Sequence, residues 1–178
     1  MSTVNVAVPG PPDGIFGLKF HQVAIHHPHL YDVVEFWKDA GYRNWTEDNA
    51  LMKGTECGEQ VVRPGSLRFN YEIFPHELEY LRFSDERYFI DDDRDVYEPF
   101  ISHWSVHVDD LDTKLAEVKD EIGIDPFFKY HTIKHTNPGL VASGQLFYEC
   151  FLDTRMILGH HLKMIQRVYP GDANYPKL

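Results

Sequence analysis

The chain has 178 residues, a net charge of −11, 43% hydrophobic residues and 14% aromatics. That size and composition suit one globular domain, or two small modules sharing a core, and exclude a disordered chain. The acidic balance excludes nucleic acid as a partner, because phosphate contacts need clustered Lys and Arg. No window approaches the ~20 apolar residues of a membrane span.

Residues 1–15 carry Pro9, Gly10, Pro11, Pro12 and Gly14, the composition of a flexible N-terminal arm. The N-terminus shows no basic segment followed by an apolar run, so a cytoplasmic protein is expected, with Cys57 and Cys150 as free thiols. Residues 18–25 read as a strand, with Phe20, Gln22 and Ala24 on one face and His21, Val23 and Ile25 on the other. His26, His27 and His29 read as a solvent-exposed turn. Leu30, Val33, Val34 and Trp37 then form one stripe of a helix, which Gly41 ends. Residues 43–52 read as a second strand closed by a turn at Lys53-Gly54, followed by a loop over 57–65. Residues 67–74 and 78–83 are two further strands around a turn at Pro75-His76.

The charged run Asp91-Asp92-Asp93-Arg94-Asp95 reads as part of a solvated linker, since the glycine and final glutamate of a calcium loop are missing. The order then restarts. Residues 101–108 are a strand, and Asp109 or Asp110 caps a helix carrying Leu111, Leu115, Val118 and Ile122, which Gly123 ends. Residues 127–134, 146–154 and 161–168 are strands, with a loop at Asn137-Pro138-Gly139 and a turn at Gly159. A tail over 169–178 follows. Strand-helix-strand-strand-strand therefore occurs twice, and an internal repeat fixes architecture before any residue is interpreted. The first-strand histidines, His21 and His103, are separated by 82 positions, and the closing strands align Glu79 with Lys163 at 84.

With these features the sequence resembles the vicinal oxygen chelate superfamily, which includes glyoxalase I, extradiol dioxygenases and bleomycin-resistance proteins. The resemblance is carried by Phe20-His21-Gln22-Val23-Ala24-Ile25 through Trp37 and Gly41, by Ile101-Ser102-His103 through Asp109-Asp110-Leu111, and by the strands around Glu79 and Lys163. It implies an α+β fold: two βαβββ modules (16–84 and 99–168, joined by a linker over 85–98) forming one domain over 16–168 around a cup-shaped mixed sheet. Carried over by position, the family's metal-ligand sites fall on His21, Glu79, His103 and Lys163. Lysine is a poor ligand at neutral pH, so the expected metal set is His21, Glu79 and His103, with Lys163 turned to substrate. Two imidazoles and a carboxylate leave coordination positions open; iron(II) is the ion favoured, with zinc, manganese or nickel as alternatives.

Each of these residues also has a plainer use. Strand histidines are commonly structural, and Glu79 could pair with Lys163 or Arg82. Lys163 could hold a substrate oxyanion as an ammonium group, or act as a base if its pKa falls near a dication. His161 and Tyr148 are further catalytic candidates; His107, Tyr130, His131 and His135 are left open. The resemblance implies a metal-dependent small-molecule enzyme, a dioxygenase or a lyase/isomerase, that holds two neighbouring substrate oxygens at one divalent ion. The alternative is a metal-free protein that sequesters a small aromatic or cationic compound in the cup. Monomer and homodimer both fit two modules in one chain.

Overall fold

The structure, a computed structural model, describes residues 18–73, 76–83 and 87–175. The expected N-terminal arm, the turn position Pro75, the start of the linker and the last three residues lie outside the described residues. The first half runs β1 (Phe20–His26), α1 (Leu30–Asp39), β2 (Thr46–Glu56), β3 (Glu59–Asn70) and β4 (Glu77–Phe83). The second half repeats it as β5 (Phe100–His107), α2 (Leu111–Ile122), β6 (Pro126–Lys134), β7 (Leu146–Leu152) and β8 (His161–Val168). Two short helices, α3 (Pro138–Ser143) and α4 (Arg155–Leu158), are inserted in the second half. These are the two βαβββ modules expected. Their sheets join into one closed barrel in the order β1-β4-β3-β2-β6-β7-β8-β5.

Each module pairs its first and last strands in parallel, β1 with β4 and β5 with β8, and the modules meet antiparallel at β1–β5 and β2–β6. Side-chain alternation divides the residues between inside and outside. Outward, Ile25, Leu78 and Tyr80 pack under α1, while Val106, Cys150, Leu162 and Met164 pack under α2. Helix α2 starts where Asp110 accepts the Thr113 N–H at 2.7 Å, and ends at Gly123 in the left-handed region. Inward, Ala24, Met52, Leu81, Phe83, Tyr130 and Phe151 fill the barrel together with Tyr88 and Phe89.

Tyr88 and Phe89 belong to the segment expected to be a solvated linker, yet they are 0% and 1% exposed. The segment is tied down along its length. Glu56 accepts the Ile90 N–H, His26 Nε2 lies 2.8 Å from the Val96 carbonyl, and the Arg94 guanidinium covers the Phe100 ring at 4.1 Å. Asp92 is buried and paired with Arg94, so the acidic run is not wholly solvated. His26, expected in an exposed turn, is 1% exposed and stacks on Phe100.

The β2–β3 hairpin also differs from expectation. Its turn is Cys57-Gly58, both at positive φ (49° and 86°), the geometry that suits a two-residue hairpin. Lys53-Gly54 lies mid-strand. Gly54 is there because β6 crosses so close that a Cβ would meet the Lys129 carbonyl oxygen at 2.2 Å. Asn137, expected in a loop, caps α3 by accepting the Gly139 and Leu140 N–H groups.

Candidate functional site

One end of the barrel is open as a cavity of about 260 Å³. Its lining is mixed: the buried polar side chains Gln22, Glu77, Glu79, His103, Glu149 and Lys163 form what is called its floor, and Met52, Leu67, Phe69, Phe83, Phe147 and Phe151 are apolar. The lining carries four carboxylates, Asp48, Glu77, Glu79 and Glu149, against Lys163 and Arg167. A cation, or a proton, is therefore welcome inside.

The floor is built at the β1–β5 seam. Register pairs Ala24 with His103 and Gln22 with Ser105, so Gln22, not His21, is the counterpart of His103 about the axis relating the modules. The register slips in both strands, between Phe20 and Gln22 and between Ala24 and Ile25, where one strand carries an extra residue. Those extra residues are His21 and Ser102, each directly before its floor residue. Alternation groups Gln22 with Ala24 correctly; matching His21 to His103 across the repeat, by residue type, is what puts the inward residue one position early, and the bulge explains the slip. His21 instead meets His107 edge to face, with ring centroids 4.2 Å apart. His107 lines the cavity and accepts from the Arg167 guanidinium at 3.2 Å. Burial, then the neighbouring His21 and Arg167, bring the His107 pKa down to about 4.

Glu79 and His103 do come together. His103 Nε2 is 3.4 Å from Glu79 Oε2 and 3.4 Å from Gln22 Oε1, and all three side chains are buried. Gln22 is locked in orientation: Ser105 Oγ donates to its Oε1 at 2.6 Å, and its Nε2 donates to Glu77. His103 Nδ1 lies 2.6 Å from Ser102 Oγ, which contacts the Tyr88 hydroxyl. Burial first, then the Lys163 charge, holds the His103 pKa well below its ordinary value, so the ring is neutral. Burial pushes the Glu79 pKa up, and Lys163 pulls part of it back. Glu79 Oε2 has no hydrogen-bond partner.

Lys163 points into the cup as expected, and its Nζ donates to Glu149 Oε1 at 2.8 Å. Burial alone would depress its pKa, but Glu149 and Glu79 outweigh burial and raise it. With these carboxylate neighbours Lys163 favours the ammonium form, one of the uses expected for it.

The other two catalytic candidates lie elsewhere. Tyr148 faces outward and its hydroxyl donates to the Asn174 carbonyl at 2.9 Å; β7 presents Glu149 to the cup instead. His161 shares the inward face with Lys163, but it lies beyond the plug of Phe89, Phe127 and Phe151. There it lines a separate hollow of about 70 Å³ with Asp92, Asp153 and Arg155. Gln22, Glu77, Glu149 and Asp48 escaped the sequence reading. The usable signal was that Val23 and Ile25, apolar and alternating, are what a covering helix needs, which leaves Gln22 facing in.

Among the described residues no group of three or more His, Cys, Asp and Glu side chains is arranged to hold a metal ion. No helix of the described residues is long and apolar enough to cross a membrane. The sequence matches no protein-family profile and no curated protein sequence. Solved structures do match. Methylmalonyl-CoA epimerase from Mycobacterium tuberculosis superposes with a TM-score of 0.50 at 13% identity, covering 83% of this chain and 86% of its own. A hypothetical protein from Bacillus halodurans C-125 gives 0.49 at 18% identity, covering 87% and 98%. At such identity the likeness shows the fold alone.

Proposed function

We propose that this chain is a metal-dependent small-molecule enzyme whose divalent ion is held by Gln22, Glu79 and His103. The observation that carries this reading is the meeting of three acceptors. His103 Nε2 stands 3.4 Å from Glu79 Oε2 and 3.4 Å from Gln22 Oε1, and a ring hydrogen placed on Nδ1, 2.6 Å from Ser102 Oγ, would leave the Nε2 lone pair free for an ion. Donors bonded at about 2.1 Å to one ion stand roughly 3.0–3.4 Å from each other, so both spacings from His103 fit. The orphaned oxygen of Glu79 fits as well, because a buried acceptor without a partner costs about 1–3 kcal/mol until something occupies it. The Ser105 and Glu77 contacts to Gln22, and the Ser102 contact to His103, are the supporting bonds that orient ligands.

The donor set is one imidazole and two oxygens, not the two imidazoles expected from the sequence, and it suits iron(II), manganese or zinc. Such an ion would act as a Lewis acid toward neighbouring oxygens of a substrate. The chain's own residues do the rest. The Lys163 ammonium, anchored by Glu149, donates to a developing oxyanion. Leu67, Phe69 and Phe147 pack an apolar body and exclude water, and Arg167 at the mouth meets an anionic group.

Metal analysis of untagged protein, before and after reconstitution with iron(II), manganese, zinc or nickel, tests the assignment. The expected result is one ion per chain, lost in Gln22→Ala and His103→Ala and kept in His21→Ala. If no metal is retained under any of these conditions, the cup is a metal-free binding site. If His21→Ala loses the ion while Gln22→Ala keeps it, the ligand set is wrong.

A further inference from the structure

We infer that Asp48 and His135 form a proton-accepting pair acting on the molecule bound in the cup. Asp48 is on β2 and His135 follows β6, so the pair sits on the β2–β6 seam of the barrel, separate from the β1–β5 seam that carries Gln22 and His103. Both line the same cavity. Asp48 Oδ2 is 2.5 Å from His135 Nδ1, and the two side chains are 2% and 5% exposed.

The turn that carries His135 also fixes its partner. Asp48 Oδ1 accepts the backbone N–H groups of Thr136 at 2.7 Å and Asn137 at 3.0 Å. Burial pulls the Asp48 pKa up, but the bonds from His135, Asn137 and Thr136 outweigh it and hold the carboxyl below its ordinary value. An ionised carboxylate only accepts hydrogen bonds, so His135 Nδ1 must carry the hydrogen it donates. In the neutral ring this leaves the lone pair on Nε2. That nitrogen is buried and has no partner. The Phe147 ring stands edge-on at 5.5 Å and holds the imidazole plane in place.

An oriented imidazole with an unoccupied acceptor in a cavity wall, backed by a carboxylate, is the arrangement of a general base. The ligand's acidic O–H, or its C–H next to a carbonyl, would break with the electron pair left on the ligand. The proton would form the Nε2–H bond, and the imidazolium so made would face the Asp48 carboxylate. Return of the proton to the other face, or to another atom, completes an isomerisation. The pair is independent of any ion at Gln22, Glu79 and His103.

Site-resolved acylation with diethyl pyrocarbonate tests the pair on the full chain. The reagent forms an N–C bond with a neutral imidazole nitrogen that it can reach from the cavity. Exposed His29 serves as the internal standard. Because its Nε2 is buried, His135 is expected to label more slowly than His29 but to completion at long exposure. Asp48→Asn should slow it about tenfold, equivalent to about 1.4 kcal/mol of lost stabilisation of the charged ring, with His29 unchanged. Nitrogen-15 spectra of the wild-type protein, recorded where the ring is neutral, should show the His135 hydrogen on Nδ1 and none on Nε2. An unlabelled His135 beside a labelled His29, a proton on Nε2, or an unaltered rate in folded Asp48→Asn protein each overturns the proposal. The two wild-type measurements decide it even if the variant does not fold. Metal content should be the same in Asp48→Asn, His135→Gln and wild type, which separates failure of this pair from failure of the metal assignment.

Discussion

At the scale of single residues, the cup is a place where charge is buried against its own cost. Lys163 and Glu149 are 8% and 10% exposed at the side chain, and removing one partner of a buried pair costs about 3–5 kcal/mol because the other is stranded. Lys163→Met should therefore lower unfolding stability by that order while keeping bound metal and losing ligand affinity. The double variant with Glu149→Gln should recover much of the stability in a chemical-denaturation cycle. Lys163→Glu crowds a fourth carboxyl against Glu77, Glu79 and Glu149, so it should tighten metal binding and weaken the metal-free fold. Asp48 gives the pH dependence. Its folded pKa lies below its unfolded value, so its contribution is fully present above about pH 4 and is lost as pH falls through the depressed folded pKa. Wild type should exceed Asp48→Ala by about 1–3 kcal/mol near neutral pH, and the gap should close in acid denaturation curves. A gap that stays constant with pH would remove Asp48 from this role.

At the scale of elements, two glycines in one hairpin have different physical reasons. Gly58 sits at φ 86° in the turn with nothing near a Cβ, so Gly58→Ala should cost about 1–2 kcal/mol of backbone strain. Gly54 has ordinary φ, but a Cβ there runs into β6 backbone, with Tyr130 Cα at 2.6 Å. Gly54→Ala must push β2 from β6 and should cost more, about 3 kcal/mol or above, in urea titrations. Equal losses would mean that the seam can relax. The same seam carries Asp48 and His135, so Gly54→Ala should also slow labelling of His135. Bulges at His21 and Ser102 show the other way an element decides a site. One extra residue before each floor residue re-aims Gln22 and His103 without changing the order of strands.

At the scale of the whole molecule, the barrel is closed by a segment between its modules. Phe89 touches Phe83, Tyr88, Phe127, Phe128, Phe151 and His161, joining both halves and separating the cup from the hollow that holds His161. Phe89→Ala should cost about 3–5 kcal/mol, whereas Phe36→Ala, 64% exposed on α1, should stay within about 0.5 kcal/mol in thermal or urea unfolding. A small loss at Phe89 would mean that the plug is not part of the cooperative core.

The family resemblance put Glu79, His103 and Lys163 inward; the sequence by itself determined the two strand-helix-strand-strand-strand runs and their repeat, without α3 and α4. Those follow from local periodicity, capping residues and repeated spacing, which are properties of neighbours along the chain. Only the tertiary structure decided that Gln22 replaces His21, that Glu149 rather than Tyr148 faces the cup, that His161 lies beyond the plug, and that Asp48 meets His135. Each depends on contacts between distant strands: a bulge is defined by the register of a partner strand, a plug by the barrel around it, and an ion pair by residues 87 positions apart. Interstrand register and cross-barrel packing leave no periodic trace in either segment alone.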